Sequence, residues 1–232
     1  MLEMERLEQI ITQLRKNQTA TVKALAKDLY VSEATIRRDL NILERQGLVK
    51  RLHGGAVLMG GNNRELPLYV REQQNAEAKY AMAAKASRHL RDGQVVFLDA
   101  SSTVMYLIKH LGSFNGLTIV TNGLKTAEQL RSLNHKVYCT GGLLLHNSSA
   151  YVGEYATDFV RHFNADVFFF SSRGVADDGQ ITDASQEETH IRRVMFEQSQ
   201  KRVFLCDQSK YGQRYCYNLC TVAQVDEFIS DK

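Results

Sequence analysis

The chain has 232 residues, of which 44% are hydrophobic, 9% aromatic and 24% charged. This composition is typical of a folded globular protein of one or two domains and excludes wholesale disorder. Apolar runs such as Val95 to Leu98 are far shorter than the roughly 18 residues that a membrane helix needs. The N-terminus also lacks the basic and apolar regions of a secretory signal. The sequence therefore predicts a cytoplasmic protein without a membrane span.

The formal net charge of +3 is confined to the first quarter of the chain. Residues 1–58 contain ten Lys and Arg against seven Asp and Glu, and the remainder contains 19 of each sign. Seven of the ten basic residues lie between Lys23 and Arg51, where clustered positive charge suits a phosphate backbone.

The hydrophobic pattern changes at a polar segment, residues 60–67, which contains the only proline. Before it the apolar period is helical; after it short apolar runs alternate with helical segments, the pattern of a largely parallel sheet flanked by helices. The sequence predicts a helical domain in residues 1–58, a linker in residues 59–75 and an α/β domain in residues 76–232.

The first domain contains the pattern of a helix-turn-helix at about residues 20–46. Thr21 is a candidate N-cap for the second helix, and Ser32 is one for a third helix that ends at Gly47. The third helix leaves polar side chains outside that suit base edges and phosphates. These candidates are Ser32, Thr35, Arg37, Arg38 and Asn41.

A short hairpin, residues 48–58, follows directly and reads as a wing. Its glycines allow a tight tip, and its basic residues suit the sugar-phosphate backbone. The candidates are Lys50, Arg51, His53 and Gly54. The alternative is a helical module that docks on another protein, but a protein interface core is depleted of charge, so DNA fits this surface better.

The second domain has polar segments at the carboxyl ends of its predicted strands. In an open α/β sheet, ligands bind beyond these ends, and a Ser/Thr-rich loop that opens a helix suits a phosphate. Lys210 is expected to contact a phosphate or sugar oxygen, Asp99 to accept from sugar hydroxyls, and the glycines to bring backbone close to ligand. The predicted effector-binding residues are Asp99, Ser101, Ser102, Thr103, Thr121, Asn122, Gly141, Gly142 and Lys210.

Three stretches, VSEATIRRDL (31–40), LERQG (43–47) and RLHGGA (51–56), resemble the signature of the DeoR family of bacterial transcriptional regulators. The resemblance implies a winged helix-turn-helix followed by a sensor similar to ribose-phosphate isomerases. It further implies a homo-oligomeric repressor of a carbohydrate operon, whose affinity for double-stranded operator DNA is controlled by a phosphorylated sugar. The chain departs from many relatives at Ser101 and Ser171-Ser172, where they have glycine, and at Arg192, where they have lysine.

An enzyme is the alternative class, namely a phosphosugar isomerase with a helical appendage. Isomerisation needs a carboxylate base beside the substrate. Related isomerases have a glutamate shortly after the glycine pair, whereas here Glu154 is the first carboxylate after Gly142. Asp177-Asp178 is a further source of carboxylates but also an ordinary turn sequence. We therefore expect no catalytic residue, no cofactor and no enzymatic activity.

Four cysteines occur without a CxxC pair, so the sequence predicts reduced core thiols and no metal site. A metal site built on the loosely spaced Cys216 and Cys220 is the less favoured interpretation.

Overall fold

The computed structural model of the chain describes residues 2–45, 47–59 and 67–232. It divides into two compact units, Met1–Val70 and Arg71–Lys232. Seven residues of the predicted linker, residues 60–66, lie outside the described residues, as does Gln46, the expected last residue of the third helix. A short helix, α4 (Leu68–Gln73), occupies part of the remaining predicted linker.

The first unit is a small helical domain with a three-stranded antiparallel sheet. Its elements are α1 (Glu3–Asn17), β1 (Thr19–Thr21), α2 (Val22–Asp28), α3 (Glu33–Arg45), β2 (Val49–Leu52) and β3 (Gly55–Leu58). The strand order is β1-β3-β2, so β1 pairs with the wing hairpin as a third strand that was not predicted. The core contains the apolar stripes of all three helices.

Local signals set the helix ends in this unit. Thr21 caps α2, since its Oγ1 accepts a hydrogen bond from the Ala24 amide at 3.1 Å. Ser32 caps α3 through the Thr35 amide, also at 3.1 Å. Gly47 follows α3 with a φ of +70°, a conformation that favours glycine. Both predicted N-caps are therefore confirmed.

The second unit is an α/β domain. Its helices are α5 (Ala76–Ala86), α6 (Ile108–Leu111), α7 (Leu124–Leu130), α8 (Glu154–Arg161) and α9 (Gln186–Glu197). Its main-sheet strands are β4 (Val95–Leu98), β5 (Thr118–Thr121), β6 (Lys136–Cys139), β9 (Ala165–Phe170), β12 (Ser199–Leu205) and β14 (Glu227–Ile229). The smaller pairings comprise β7 (Leu143–Leu145) with β8 (Ala150–Val152), and β10 (Gly174–Val175), β11 (Gln180–Asp183) and β13 (Tyr217–Thr221).

The main sheet has the order β14-β12-β9-β4-β5-β6, and every neighbouring pair is parallel. The chain runs from β4 to the β6 edge, returns to β9 beside β4 and then runs to the opposite edge. The strand order therefore reverses between β4 and β9, and in open α/β sheets ligands bind beyond the carboxyl ends of the strands at such a point. The predicted parallel sheet is confirmed.

Buried side chains cover both faces of this sheet, which explains its continuous apolar runs. Phe97, Phe168 and Phe170 belong to one core, whereas Leu98 and Phe169 belong to the core on the other face. Alternation along each strand sends successive side chains into opposite cores.

The prediction of core thiols is wrong for two of the four cysteines. Cys139 lies on the edge strand β6 and is exposed, as is Cys216. Cys206 and Cys220 are buried, and burial raises the pKa of each thiol to about 12. In residues 2–45, 47–59 and 67–232, no group of three or more His, Cys, Asp or Glu side chains is placed to hold a metal ion. None of the described helices is both long enough and apolar enough to cross a bilayer.

Candidate DNA-binding and anion-binding sites

The outer face of α3 carries the predicted DNA-binding residues. Ile36, Leu40 and Leu43 are fully buried, so helical geometry turns Arg38 and Asn41 to the surface. Arg37 is also exposed and forms an ion pair with Glu33 one turn earlier, with 2.7 Å between Nη2 and Oε2. The face thus carries cationic and amide donors beside the helix start.

The N-terminus of α3 adds hydroxyl groups to this face. The Oγ of Ser32 lies 2.9 Å from the Oγ1 of Thr35. Both hydroxyls belong to the first turn, where backbone amides and the helix dipole favour an anion such as a phosphate.

The wing tip is formed by His53 and Gly54 between β2 and β3. Gly54 has a φ of +83°, and a Cβ there would meet nothing within 4 Å, so conformation requires glycine at this position. Lys50 and His53 are exposed. Arg51 is only half-exposed, and its Nη1 donates to the Oδ1 of Asn41 on α3 at 2.5 Å. Arg51 thus contacts the recognition helix.

A buried ion pair behind the recognition helix was not expected from the sequence. Arg6 of α1 and Asp39 of α3 bond through Nη2 and Oδ1 at 2.9 Å and through Nε and Oδ2 at 2.5 Å. The hydrogen bond to Asp39 raises the pKa of Arg6 further. Asp39 lies three residues after Ile36 on the buried stripe of α3. A carboxylate on an apolar stripe was the signal that could have predicted a buried ion pair.

At the carboxyl ends of the central strands, two lysines meet the hydroxyl-rich loop that follows β4. The Nζ of Lys210 donates to the Oγ of Ser171 at 2.7 Å and lies 3.4 Å from the Oγ1 of Thr103. The Nζ of Lys79 donates to the Oγ of Ser102 at 3.2 Å and to the Arg71 carbonyl. Loops 99–103 and 207–210 therefore lie together as predicted, and two residues that the prediction did not include, Ser171 after β9 and Lys79 of α5, join them.

Electrostatics set this cluster apart from an ordinary surface lysine pair. Burial, and then the charge of Lys210, lowers the pKa of Lys79 to about 7. Burial also lowers the pKa of Lys210, although Asp207 opposes this. Burial disfavours the charge of Asp207, but Lys210 and the Ser209 donors outweigh it and lower the pKa of that carboxyl. The arrangement favours an anion beside the two ammonium groups.

Lys79 was missed by sequence reasoning. It lies on the buried stripe of α5 with Met82, Ala83 and Ala86 and is itself only 3% exposed. A lysine on an apolar stripe was the signal that could have identified it.

Asp99 is at the expected sheet edge but is already heavily bonded. One carboxylate oxygen accepts from the Ser101 amide at 3.0 Å, and the other accepts from the Ser171 amide at 3.2 Å and from Arg192 at 2.9 Å. Arg192 also pairs with Asp183 at 2.7 Å and Glu188 at 2.8 Å. The planar guanidinium of Arg192 donates to three carboxylates at once, which the single ammonium group of a lysine does not do. Direct contact of Asp99 with a ligand stays a prediction.

The helical segment after the predicted phosphate loop begins as a 3-10 helix and not as an α-helix. The chain forms a 3-10 turn at Val104–Leu107 and then the single-turn α6. The Oγ of Ser101 accepts from the Val104 amide at 3.2 Å. The expected contribution of a helix dipole is therefore small here, and lysines and hydroxyls carry the charge recognition.

The loop after β5 borders this cluster. A Cβ on Gly123 would lie 3.1 Å from the Cα of Ala100. The Oγ1 of Thr121 accepts from the Gly123 amide at 3.0 Å, and the Nδ2 of Asn122 donates to the Tyr151 carbonyl at 3.1 Å. The Oδ1 of Asn122 is buried without a hydrogen-bond partner among the described residues, so this acceptor is available to a donor.

Backbone conformation and close packing explain the glycine pair after β6. Both have positive φ, +64° at Gly141 and +105° at Gly142, and a Cβ on Gly142 would come within 2.7 Å of the Val152 carbonyl oxygen. A Cβ on Gly141 would have open space. Their predicted contact with ligand remains a prediction.

Both units match descriptions of one protein family. The DeoR-like helix-turn-helix domain matches residues 6–60, and the DeoR C terminal sensor domain matches residues 74–232. The HTH-type transcriptional regulator GolR of Listeria innocua is 35% identical over 100% of this chain and 91% of its own length. The glycerol-3-phosphate regulon repressor of Escherichia coli is 28% identical over 100% and 92%. The solved structure of eIF2B delta from Chaetomium thermophilum, 14% identical with a TM-score of 0.50 over 71% of this chain and 59% of that one, is similar in fold.

Proposed function

Because the chain belongs to the DeoR family of DNA-binding transcriptional regulators, we propose that it represses a carbohydrate-utilisation operon in the cytoplasm and that a phosphorylated sugar sets its operator affinity. The similar E. coli protein is named for a regulon of a phosphorylated polyol, which supports an effector of that class. The candidates on α3 and the wing candidates Lys50, His53 and Gly54 contact double-stranded operator DNA, whereas Arg51 bonds Asn41.

The anion cluster of Lys79, Lys210 and residues 101–103 is the observation that carries the effector proposal. The buried ammonium group of Lys79 and the partly buried one of Lys210 have lowered pKa values, and the charge of Lys210 disfavours that of Lys79, so an oxyanion beside them offsets that cost. Hydroxyls of Ser102, Thr103 and Ser171 supply further hydrogen-bond partners around it. A phosphoryl group matches this set of donors.

The sugar part extends from the phosphate toward the β5 and β6 ends. The buried Oδ1 of Asn122 accepts from a sugar hydroxyl, while Thr121 and the glycine pair shape the wall. Asp99 holds the loop and accepts from a hydroxyl with a remaining lone pair.

The site binds and does not catalyse. Asp99 bonds Arg192 and two backbone amides. Asp178, in the β10–β11 turn, forms an exposed ion pair with Arg214. The relatives are named regulators or repressors, which favours the regulator over the isomerase alternative. No cofactor takes part in this proposal.

The regulator acts as a homo-oligomer whose interface lies in the second unit. One recognition helix with one wing covers a short half-site, so two copies read repeated or inverted half-sites. Effector binding changes operator affinity because the ligand has different affinities for two arrangements of the subunits.

Fluorescence anisotropy tests this proposal with labelled DNA from upstream of the protein's own operon, titrated with protein and a panel of phosphorylated sugars. Wild type should bind in a salt-sensitive manner, and one sugar phosphate should change the affinity. Arg38→Ala should weaken DNA binding at unchanged thermal stability. Lys210→Ala should bind DNA but lose the response.

Lys136→Met is the matched control, because Lys136 is exposed on the β6 edge. It should behave as wild type in both assays. A Lys210→Ala protein that responds fully to the effector would show that the anion cluster is not the effector site.

A further inference from the structure

Arg51 differs from the other basic residues of the wing in where its side chain lies. Lys50, its neighbour on β2, is exposed, whereas Arg51 is half-exposed with a buried Nε. Its Nη1 donates to the Oδ1 of Asn41 at 2.5 Å, and its backbone amide donates to the Oε1 of Glu44 at 2.8 Å. Two successive turns of α3 therefore hold this point of the wing.

The hydrogen bond to Arg51 fixes the orientation of the Asn41 side-chain amide. A guanidinium only donates hydrogen bonds, so it selects the oxygen end of the amide and excludes the flipped orientation. The Asn41 oxygen keeps a second lone pair, and its NH2 group remains a donor. Reading adenine needs this pair in a defined order, with oxygen accepting from N6 and nitrogen donating to N7.

We infer that Arg51 is a positioning residue for base recognition, which fixes the amide of Asn41 and so sets the base that Asn41 reads. Arg51 reaches DNA through Asn41 and does not neutralise a phosphate, whereas the exposed Lys50 does. This inference rests on the proposed DNA-binding function and refines it, because the two roles leave different signatures. A phosphate contact contributes to the salt dependence of binding, while an oriented amide contributes to discrimination at one base pair.

The test uses the full-length protein and DNA selected by the wild type from a random library. Asn41→Ala, measured on a panel of single base-pair substitutions, identifies the base pair that Asn41 reads. Arg51→Met then keeps the aliphatic stem and removes the donor, and Lys50→Met is the matched control on the same strand. Each variant is measured for discrimination at that base pair and for the slope of log affinity against log salt.

Arg51→Met should lower discrimination at the Asn41 base pair about tenfold and leave the salt slope unchanged. Lys50→Met should keep the discrimination and reduce the slope by about one. In the Arg51→Met background, Asn41→Ala should cause little further loss at that base pair, because the two residues act as one unit.

Asn41→Asp gives a second test that leaves Arg51 intact. The carboxylate keeps an acceptor for the guanidinium and removes the donor, so the preference at that base pair should change toward cytosine, whose N4 amino group donates. The inference is overturned if Arg51→Met lowers the salt slope as Lys50→Met does while discrimination persists, or if Asn41→Asp leaves the base preference unchanged. Failure of the wild type to select any sequence would instead remove the DNA-binding function itself.

Discussion

Asp99 and Arg192 form a buried ion pair at the carboxyl end of the central strands, with 2.9 Å between Oδ2 and Nε. The same carboxylate holds the amides of Ser101 and Ser171. Ser171 in turn binds Lys210, so the pair connects α9 to both sides of the anion cluster. The chain keeps charge at a position where the resemblance implies lysine, but only an arginine spans all three carboxylates.

Removing the carboxylate should therefore disrupt the anion cluster as well as the fold. Asp99→Ala leaves Arg192 with one fewer partner in a buried site, and we expect a loss of about 3 kcal/mol or more of unfolding free energy. Asp99→Asn retains the volume and should bind the effector at least about tenfold more weakly, because the loop amide loses its charged acceptor. Chemical denaturation and effector titration measure the two effects.

The control for Asp99 is Asp178→Asn in the exposed turn. Its ion pair with Arg214 is solvent-exposed, and such pairs contribute little to stability. A loss of stability at position 178 equal to that at position 99 would contradict the special role of the buried pair.

Anion binding in the second unit should weaken as the pH rises above neutrality. The pKa of Lys79 is about 7 in the folded chain, so the cation that attracts an anion is present below pH 7 and is lost above it. Lys210, Asp207, Arg71 and Glu72 contribute to its field. Sulfate keeps a constant charge between pH 6 and 9, so its affinity by calorimetry should fall toward a limit of about tenfold per pH unit above 7.

Lys79→Met should show a flatter pH profile for sulfate. A wild-type affinity that is constant from pH 6 to pH 9 would place the anion elsewhere.

The stability of the ligand-free protein should change in the opposite direction and increase as the pH rises above 7. Because the folded pKa of Lys79 lies below its unfolded value, its unfavourable contribution is complete below pH 7 and is relieved as the pH rises toward 10.5.

The Arg6–Asp39 pair should be essential to the first unit. Asp39→Ala leaves a buried guanidinium without its two carboxylate contacts, which should lower the unfolding free energy by about 3 kcal/mol. Circular dichroism during urea unfolding measures this loss. Asp28→Ala, an exposed carboxylate at the end of α2, serves as control. Equal stability of the two variants would mean that the pair contributes no more than a surface charge.

The cysteines should separate into two classes of reactivity. Cys139 and Cys216 are exposed and should react with a thiol reagent in the native protein. Cys206 and Cys220 are buried, and with a pKa raised to about 12 they should react only after unfolding. Mass spectrometry of the modified protein distinguishes the four sites, and rapid native modification of Cys206 would contradict the burial of this residue directly after β12.

The helix boundaries, the wing and the parallel sheet were predictable because their signals are local. Thr21 and Ser32 cap the helices that immediately follow them, and Gly47 ends α3 within the same stretch of chain. The continuous apolar runs predicted the central strands, because a strand that is buried on both faces has apolar side chains at successive positions. The convergence of loops 99–103 and 207–210 also followed, because parallel strands end at one edge.

The partners of the charged residues were not predictable in this way. Asp99 was expected to face a ligand, yet it binds Arg192, 93 residues later. Lys79 bonds Ser102 across 23 residues. Arg51 was expected on the DNA backbone but contacts Asn41, ten residues earlier. Such choices depend on distances between elements, which hydrophobic period does not encode.

The two domains, the class of each and the face that α3 exposes follow from the order of the amino acids, because burial of apolar stripes and capping are properties of short segments. Which charged groups pair with one another depends instead on how distant segments pack together. A buried charge needs a partner at hydrogen-bond distance, and the fold alone determines which partner is within reach. Asp39, Asp99 and Arg192 are paired inside the protein for that reason, whereas Lys79 and Lys210 lie together beside hydroxyl groups and share the neighbouring Asp207, whose Oδ2 is 3.8 Å from the Nζ of Lys210.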